Sequence, residues 1–158
     1  MSYIIDNLYL SSVFEVKSYN LYEKSSLIVN AANEVLHNSP HDCTILNLNW
    51  YDTPSQDINK GNLLFKIIDF MDMFLSDNKI VVVNCYAGIS RSTTIVLAYL
   101  IYKFKWSLEE SLSYVRNKRH IINPNEGFMR QLKNIETSLK NHNIKCLETY
   151  IKCPPVNF

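Results

Sequence analysis

The chain has 158 residues, 47% of them hydrophobic and 20% charged, with a formal net charge of +1. That is the length and composition of one globular domain with a real core. Near-neutral charge excludes a general electrostatic pull toward nucleic acid or an anionic membrane surface, so any anion site must be local.

Ile4 to Leu10 alternates weakly and predicts a short edge strand or hairpin. Glu15 to Tyr22 predicts a short helix. Ser26 to Asn30 and Thr44 to Leu48 are strand-like, with a polar, turn-rich segment between them. Trp50 to Gln56, containing Asp52, Thr53 and Pro54, reads as a loop. From Ile58 to Leu75 apolar residues recur at helical spacing (Leu64, Ile67, Ile68, Met71, Phe74, Leu75). Lys79 to Val83 is a continuous apolar run, the pattern of a strand buried on both faces. Ser92 to Phe104 is apolar nearly all round and predicts a central buried helix. Ser107 opens another helix, with Glu110 completing a capping box, that runs to about Arg116. Asn125 caps a last helix to about Leu139. Residues 1–140 are thus expected to form one domain and residues 141–158, ending in Cys153-Pro154-Pro155 and beyond, a loosely attached tail.

Alternating strands and helices predict the α/β class, a central, mostly parallel, twisted sheet of about five strands flanked by helices. Ligands of such sheets bind beyond the carboxyl ends of the strands, where Cys85 falls. The other cysteines are Cys43, Cys146 and Cys153, with no Cys-x-x-Cys pair and no zinc-spaced His/Cys cluster. All are expected to be thiols of a reducing compartment, cytoplasmic with the nucleus as the intracellular alternative. The apolar runs are far too short to span a membrane, and Ser2 offers no myristoyl acceptor.

The segment Asn84-Cys85-Tyr86-Ala87-Gly88-Ile89-Ser90-Arg91-Ser92 joins the apolar run at 79–83 to the helix starting near Ser92. A loop in that setting turns backbone N–H groups inward, and the helix N-terminus adds partial positive charge. Tyr86, Ala87, Gly88, Ile89 and Ser90 would line this phosphate cradle. The planar fork of Arg91 can grip two phosphate oxygens. Cys85, in the same field, is expected to present a thiolate near neutral pH. It can displace the leaving oxygen and form a phosphoenzyme. Ser92 can donate a hydrogen bond to the thiolate, with a helix N-cap as the plainer role. The leaving group needs a proton, and Asp52, in a loop just after a strand, is the preferred donor. A turn-forming role beside Thr53-Pro54 is its rival. Asp57 more readily caps the following helix, and Asp42 precedes its strand and falls at the wrong end of the sheet.

These residues resemble the cysteine-dependent protein tyrosine phosphatase superfamily, in particular the small dual-specificity phosphatases. Cys85-x5-Arg91 followed by Ser92 is similar to the signature motif, and Ala87 to Ser92 to its dual-specificity version. Ile5 to Leu10 looks like the family's opening strand. Asn123-Pro124-Asn125-Glu126-Gly127-Phe128 with Gln131-Leu132 looks like the segment opening the last helix. The resemblance covers about Ile4 to Leu139. It implies a phosphomonoesterase working through a cysteinyl phosphate without metal or other cofactor. It also implies that Asp52 is the general acid and that Asn125 supports the signature loop. Asn84 departs from the pattern, which has histidine before the nucleophile. Asparagine hydrogen-bonds but carries no charge, so reduced but present activity is expected.

The leading expectation is a phosphatase of phosphotyrosine and phosphoserine/threonine in proteins, since no long segment would build a deep tyrosine-only cleft. Asn84 favours a second reading, a module that binds phosphorylated partners and turns them over poorly. A third keeps the chemistry on RNA 5′-phosphates or phosphoinositides, but Tyr86, Ala87, Ile89 and Ser90 supply no extra cation. Phosphorylated proteins are the expected partners, with no nucleic acid, no membrane and an open oligomeric state. Arg116, Lys118 and Arg119 read as a charged helix end, and His120 as a solvated loop residue. Cys43 reads as a core thiol, with an oxidative disulfide to Cys85 as the alternative.

Overall fold

The computed structural model describes residues 1–38 and 42–152, with side chains described only as far as residue 141. The chain opens on a hairpin of β1 (Ser2–Ile5) and β2 (Leu8–Ser12). Asp6 and Asn7 make its turn at φ 44° and 64°. Such a two-residue turn with left-handed backbone matches the twist of paired strands, and aspartate and asparagine tolerate it best. Helix α1 (Val13–Ser18) starts on a capping box between Ser12 and Glu15. Helix α2 (Leu21–Lys24) follows. The single helix expected at 15–22 is broken because Asn20 takes a left-handed backbone, φ 48°.

Strands β3 (Leu27–Asn30) and β4 (Thr44–Asn47) come next, then a 3-10 turn at Lys60–Asn62 and helix α3 (Leu63–Ser76). This helix starts later than expected because Gly61 and Asn62 lie at φ 63° and 62°, outside helical space. Strand β5 spans Val81–Cys85, displaced toward Cys85 from the expected 79–83. Helices α4 (Arg91–Phe104), α5 (Leu108–Lys118) and α6 (Glu126–Lys152) complete the fold. The capping box of Ser107 and Glu110 is present, and Asn125 Oδ1 accepts the Phe128 N–H at 3.0 Å. Helix α6 runs past Leu139 to Lys152, so residues 141–152 continue its backbone. Cys146 has no described side chain, and Cys153 with the rest of the expected tail lies outside the described residues.

The five-stranded sheet has the order β1-β2-β5-β3-β4, with β1 antiparallel and the other pairings parallel. Strand residues alternate between its faces. Leu8, Leu10, Leu27, Val29, Val81 and Val83 join the main core with residues of α3 to α6. Ile28 and Val82 join a smaller core with Val16 and Leu21 of α1 and α2. The parallel strands all deliver their following loops to one end, and the site lies there. None of the described helices is long and apolar enough to cross a membrane.

Candidate active site

Cys85 ends β5, paired with Ser12, and is 2% exposed. The carbonyls of the following loop are all drawn outward. Tyr86 O accepts from Val13 N at 3.3 Å, Ile89 O from Asn123 N at 2.9 Å, and Ser90 O from Thr94 N at 2.9 Å. The Arg119 guanidinium donates to Ala87 O at 3.3 Å and, through Nε, to Gly88 O at 2.9 Å. With its carbonyls bound outside, the loop is left to aim its N–H groups at the centre, where an oxyanion would sit. Gly88 makes the turn at φ 68°, and a Cβ there would meet Ser11 O at 2.6 Å and Arg119 Nη2 at 2.7 Å. No other residue fits.

Ser92 Oγ donates to Cys85 Sγ at 3.1 Å. That is the role weighed above against a cap, and the cap position belongs instead to Ser90, which makes no side-chain cap bond. A hydroxyl on the sulfur stabilises a thiolate.

Arg91 is 4% exposed. The Glu34 carboxylate takes Nη1 and Nη2 at 2.7 and 2.9 Å. Asn33 Oδ1 and Trp50 O, each at 3.1 Å, also accept from Nη1. Nε is buried and has no protein partner. The guanidinium edge formed by Nε and the second Nη2 hydrogen is therefore open, and this edge can hold two oxygens of a phosphoryl group. Burial opposes the charge of Arg91, but Glu34, Cys85 and Asp52 outweigh it and raise its pKa. The Arg91 bond holds the Glu34 carboxyl below the usual range.

Asp52 comes to the same end from the loop after β4. Its Oδ1 accepts from Ser90 Oγ at 2.7 Å and Asn125 Nδ2 at 2.9 Å. Asn125 also donates its backbone N–H to Ser90 Oγ at 3.2 Å. The Ser90 hydroxyl thus bridges Asp52 and the start of the last helix. Asp57 Oδ1 accepts from Asn59 N at 2.9 Å, a local turn, and Asp42 precedes β4 at the far end of the sheet.

Asn84 is fully buried, and its Nδ2 donates to Asn30 Oδ1 at 2.8 Å. Cys43 lies just before β4, whose Thr44 pairs with Leu27 and through it with Val81, the end of β5 away from Cys85. Its sulfur lies 3.7 Å from Ser25 Oγ, and a disulfide to Cys85 is out of reach.

Glu34, Asn33, Glu15 and Arg119 escaped the reading of the sequence. Arg119 is not an outward cation. Besides the loop carbonyls it binds Glu15 at 3.2 and 3.0 Å. Burial pushes the Glu15 carboxyl up, but Arg119, the N-terminal ammonium and the Ser12 N–H hold its pKa at about 2. For Glu34 a signal existed, since it follows β3 at the carboxyl end of a parallel strand. For Arg119 no local signal existed. Among the described residues no cluster of His, Cys, Asp and Glu could hold a metal.

The model of the dual specificity phosphatase catalytic domain matches residues 8–138. Dual specificity protein phosphatase 1 of Arabidopsis thaliana is 33% identical over 141 residues, covering 88% of this chain and 70% of that protein. Putative tyrosine phosphatase 123R of Invertebrate iridescent virus 6 is 31% identical over 140 residues, covering 89% and 94%. Among solved structures, DUSP15 superposes with a TM-score of 0.81 at 28% identity, over 94% of this chain and 95% of that one.

Proposed function

The chain belongs to the dual specificity phosphatase catalytic-domain family and is a protein phosphatase, and from that premise we propose how its own residues carry out the reaction. The substrate phosphomonoester binds with its oxygens on the loop N–H groups of residues 86–91 and on the open edge of Arg91. The Cys85 thiolate attacks phosphorus, and the bond to the alcohol or phenol oxygen breaks. Asp52, through Oδ2, gives that oxygen its proton. Water then attacks the cysteinyl phosphate while the Asp52 carboxylate takes a water proton. Ser92 Oγ stabilises the departing thiolate at the distance already seen, 3.1 Å. Inorganic phosphate leaves, and protons balance over the cycle.

The observation that carries this reading is the outward bonding of every carbonyl from Tyr86 to Ser90 around a buried sulfur. Phosphotyrosine and phosphoserine/threonine of proteins are the proposed substrates, a reading supported by a sequence with no long segment that would build a deep, tyrosine-only cleft. The catalytic unit is assigned to residues 1–140. The test is turnover of a phosphotyrosine and a phosphothreonine peptide across pH. Cys85→Ser is expected to abolish turnover and the trapped phosphoenzyme. Asp52→Asn is expected to lower kcat by about 10²- to 10⁴-fold, the usual worth of a positioned acid. Full turnover by Cys85→Ser would defeat the covalent route.

One residue favours slower chemistry. Asn84 cannot hold charge, so a thiolate near it gains less than beside an imidazolium. Asn84→His is expected to move half-maximal alkylation of Cys85 to lower pH. An unmoved profile counts against that view.

A further inference from the structure

We infer that His37, arriving from the loop after β3, is a positioning residue for the nucleophile: its ring holds Asn84 from beneath the signature loop. The inference rests on the phosphatase reading above. It begins with two buried atoms that lack a partner, Asn84 Oδ1 and His37 Nε2.

Asn84 alternates with Cys85 along β5, so its side chain lies on the opposite face, with Val82 and the α1–α2 core. Its Nδ2 is committed to Asn30 Oδ1, and its backbone carbonyl accepts from Ala31 N at 2.7 Å. Its Oδ1 can only accept. His37, 2% exposed, lies on the same face as Tyr22 of α2. Its Nδ1 is 2.8 Å from the Tyr22 hydroxyl. Asn47 clamps the His37 backbone, accepting its N–H at 3.1 Å and donating to its carbonyl at 3.0 Å. The same Asn47 Oδ1 accepts from Asn30 Nδ2 at 2.8 Å. One asparagine pair therefore fixes both His37 and Asn84.

The charges around the ring agree. Burial lowers the His37 pKa, the neighbouring Asn84 side chain opposes that, and the Lys17 charge from α1 lowers it further. The ring is neutral at pH 7. Because Asn84 Oδ1 can only accept, a bond between them requires the ring hydrogen on Nε2, which leaves Nδ1 to accept from the Tyr22 O–H 2.8 Å away. A bond from His37 Nε2 to Asn84 Oδ1 would satisfy both orphan atoms and lock the residue before Cys85 on both amide atoms. The imidazole that the family resemblance leads one to expect at position 84 acts here from position 37.

The test compares two polar substitutions in the full chain. Glutamine places an amide N–H where Nε2 was; asparagine places one where Nδ1 was. The readout is the pH profile of Cys85 alkylation by iodoacetamide, located by mass spectrometry. His37→Gln is expected to keep the wild-type midpoint. His37→Asn and His37→Ala are expected to raise it by about one unit, a tenfold drop in thiolate below the midpoint. kcat should fall in step with KM unchanged. A second measurement needs no substitution: the ring ¹⁵N shifts of His37 in the wild-type protein should report hydrogen on Nε2 at neutral pH. Equal midpoints for Gln and Asn, or hydrogen on Nδ1, would overturn the inference. Neither readout depends on turnover, so failure of the phosphatase reading, seen as full activity in Cys85→Ser, is a separate result.

Discussion

Glu34 takes one end of the Arg91 guanidinium with both carboxylate oxygens and leaves the Nε edge open. Without it, Asn33 and Trp50 still hold Nη1, but the guanidinium plane is free to swing. Glu34 is half exposed, so the loss is modest. Glu34→Ala is expected to lower kcat/KM by about tenfold, near one charge-assisted hydrogen bond, with Glu34→Gln between the two. Steady-state kinetics on a phosphotyrosine peptide decide it, and an unchanged kcat/KM would show that Asn33 and Trp50 suffice. At this scale the sequence was informative where chemistry and spacing coincide. Cys85, Arg91 and Ser92 lie at the two ends of one short loop, so their convergence needs no knowledge of the fold. Glu34 and Arg119 reach the site from 57 and 31 residues away; the place of Glu34 after a parallel strand is its one signal, and nothing local marks Arg119 as a base that will be turned inward.

The first turn of α6 carries the Asp52 loop. Asn125 and Ser90 hold the carboxylate, and Gln131 clamps the loop's far side, accepting from Ile58 N at 3.0 Å and donating to Gln56 O at 2.8 Å. The loop presses directly on Gly127. A Cβ there would lie 2.5 Å from Pro54 Cα and 2.6 Å from its carbonyl carbon. Backbone cannot yield as a flexible side chain can, so Gly127→Ala must push the loop outward. Alanine favours helix by about 1 kcal/mol over glycine, so α6 itself should not suffer. The expected outcome is a protein that melts within a few degrees of wild type yet has kcat lowered by about tenfold or more, as misplaced acids cost. Wild-type kcat in this variant would mean that the loop can shift without losing the proton donor. Element types were legible because hydrophobic period and capping boxes are local. Their edges were not. Asn20, Gly61 and Asn62 adopt left-handed backbone that interrupts an otherwise helical pattern. The capping box of Ser12 and Glu15, readable in principle, went unread.

Across the molecule, buried and paired titratable groups set a two-step response to acid. His37 has its folded pKa below the ordinary 6.5, so the unfolded chain binds a proton first and stability declines as pH falls below about that value. Glu15 and Glu136 have folded values of about 2 against an ordinary 4.5. For Glu136 the cause is its pairing with Lys133 and Lys140. Their contribution is complete above the unfolded value and is lost as pH falls from about 4.5 toward 2. Melting temperature should therefore drop in two stages on acidification, with His37→Gln removing the upper one and Glu15→Gln blunting the lower. A single transition unaffected by either substitution would contradict this.

The closeness of Cys85, Arg91 and Ser92, the helix behind them and the α/β class could all be read from residue order alone, because each depends on short-range spacing or on period. Strand order, the Asp52–Ser90–Asn125 contact, the Glu34 brace on Arg91, the Arg119 brace on the loop carbonyls and the meeting of His37 with Asn84 could not. Each joins segments far apart in the chain, and packing around the sheet brings them together. Only the assembled sheet, with its parallel strands ending side by side, gives those distant side chains a common address.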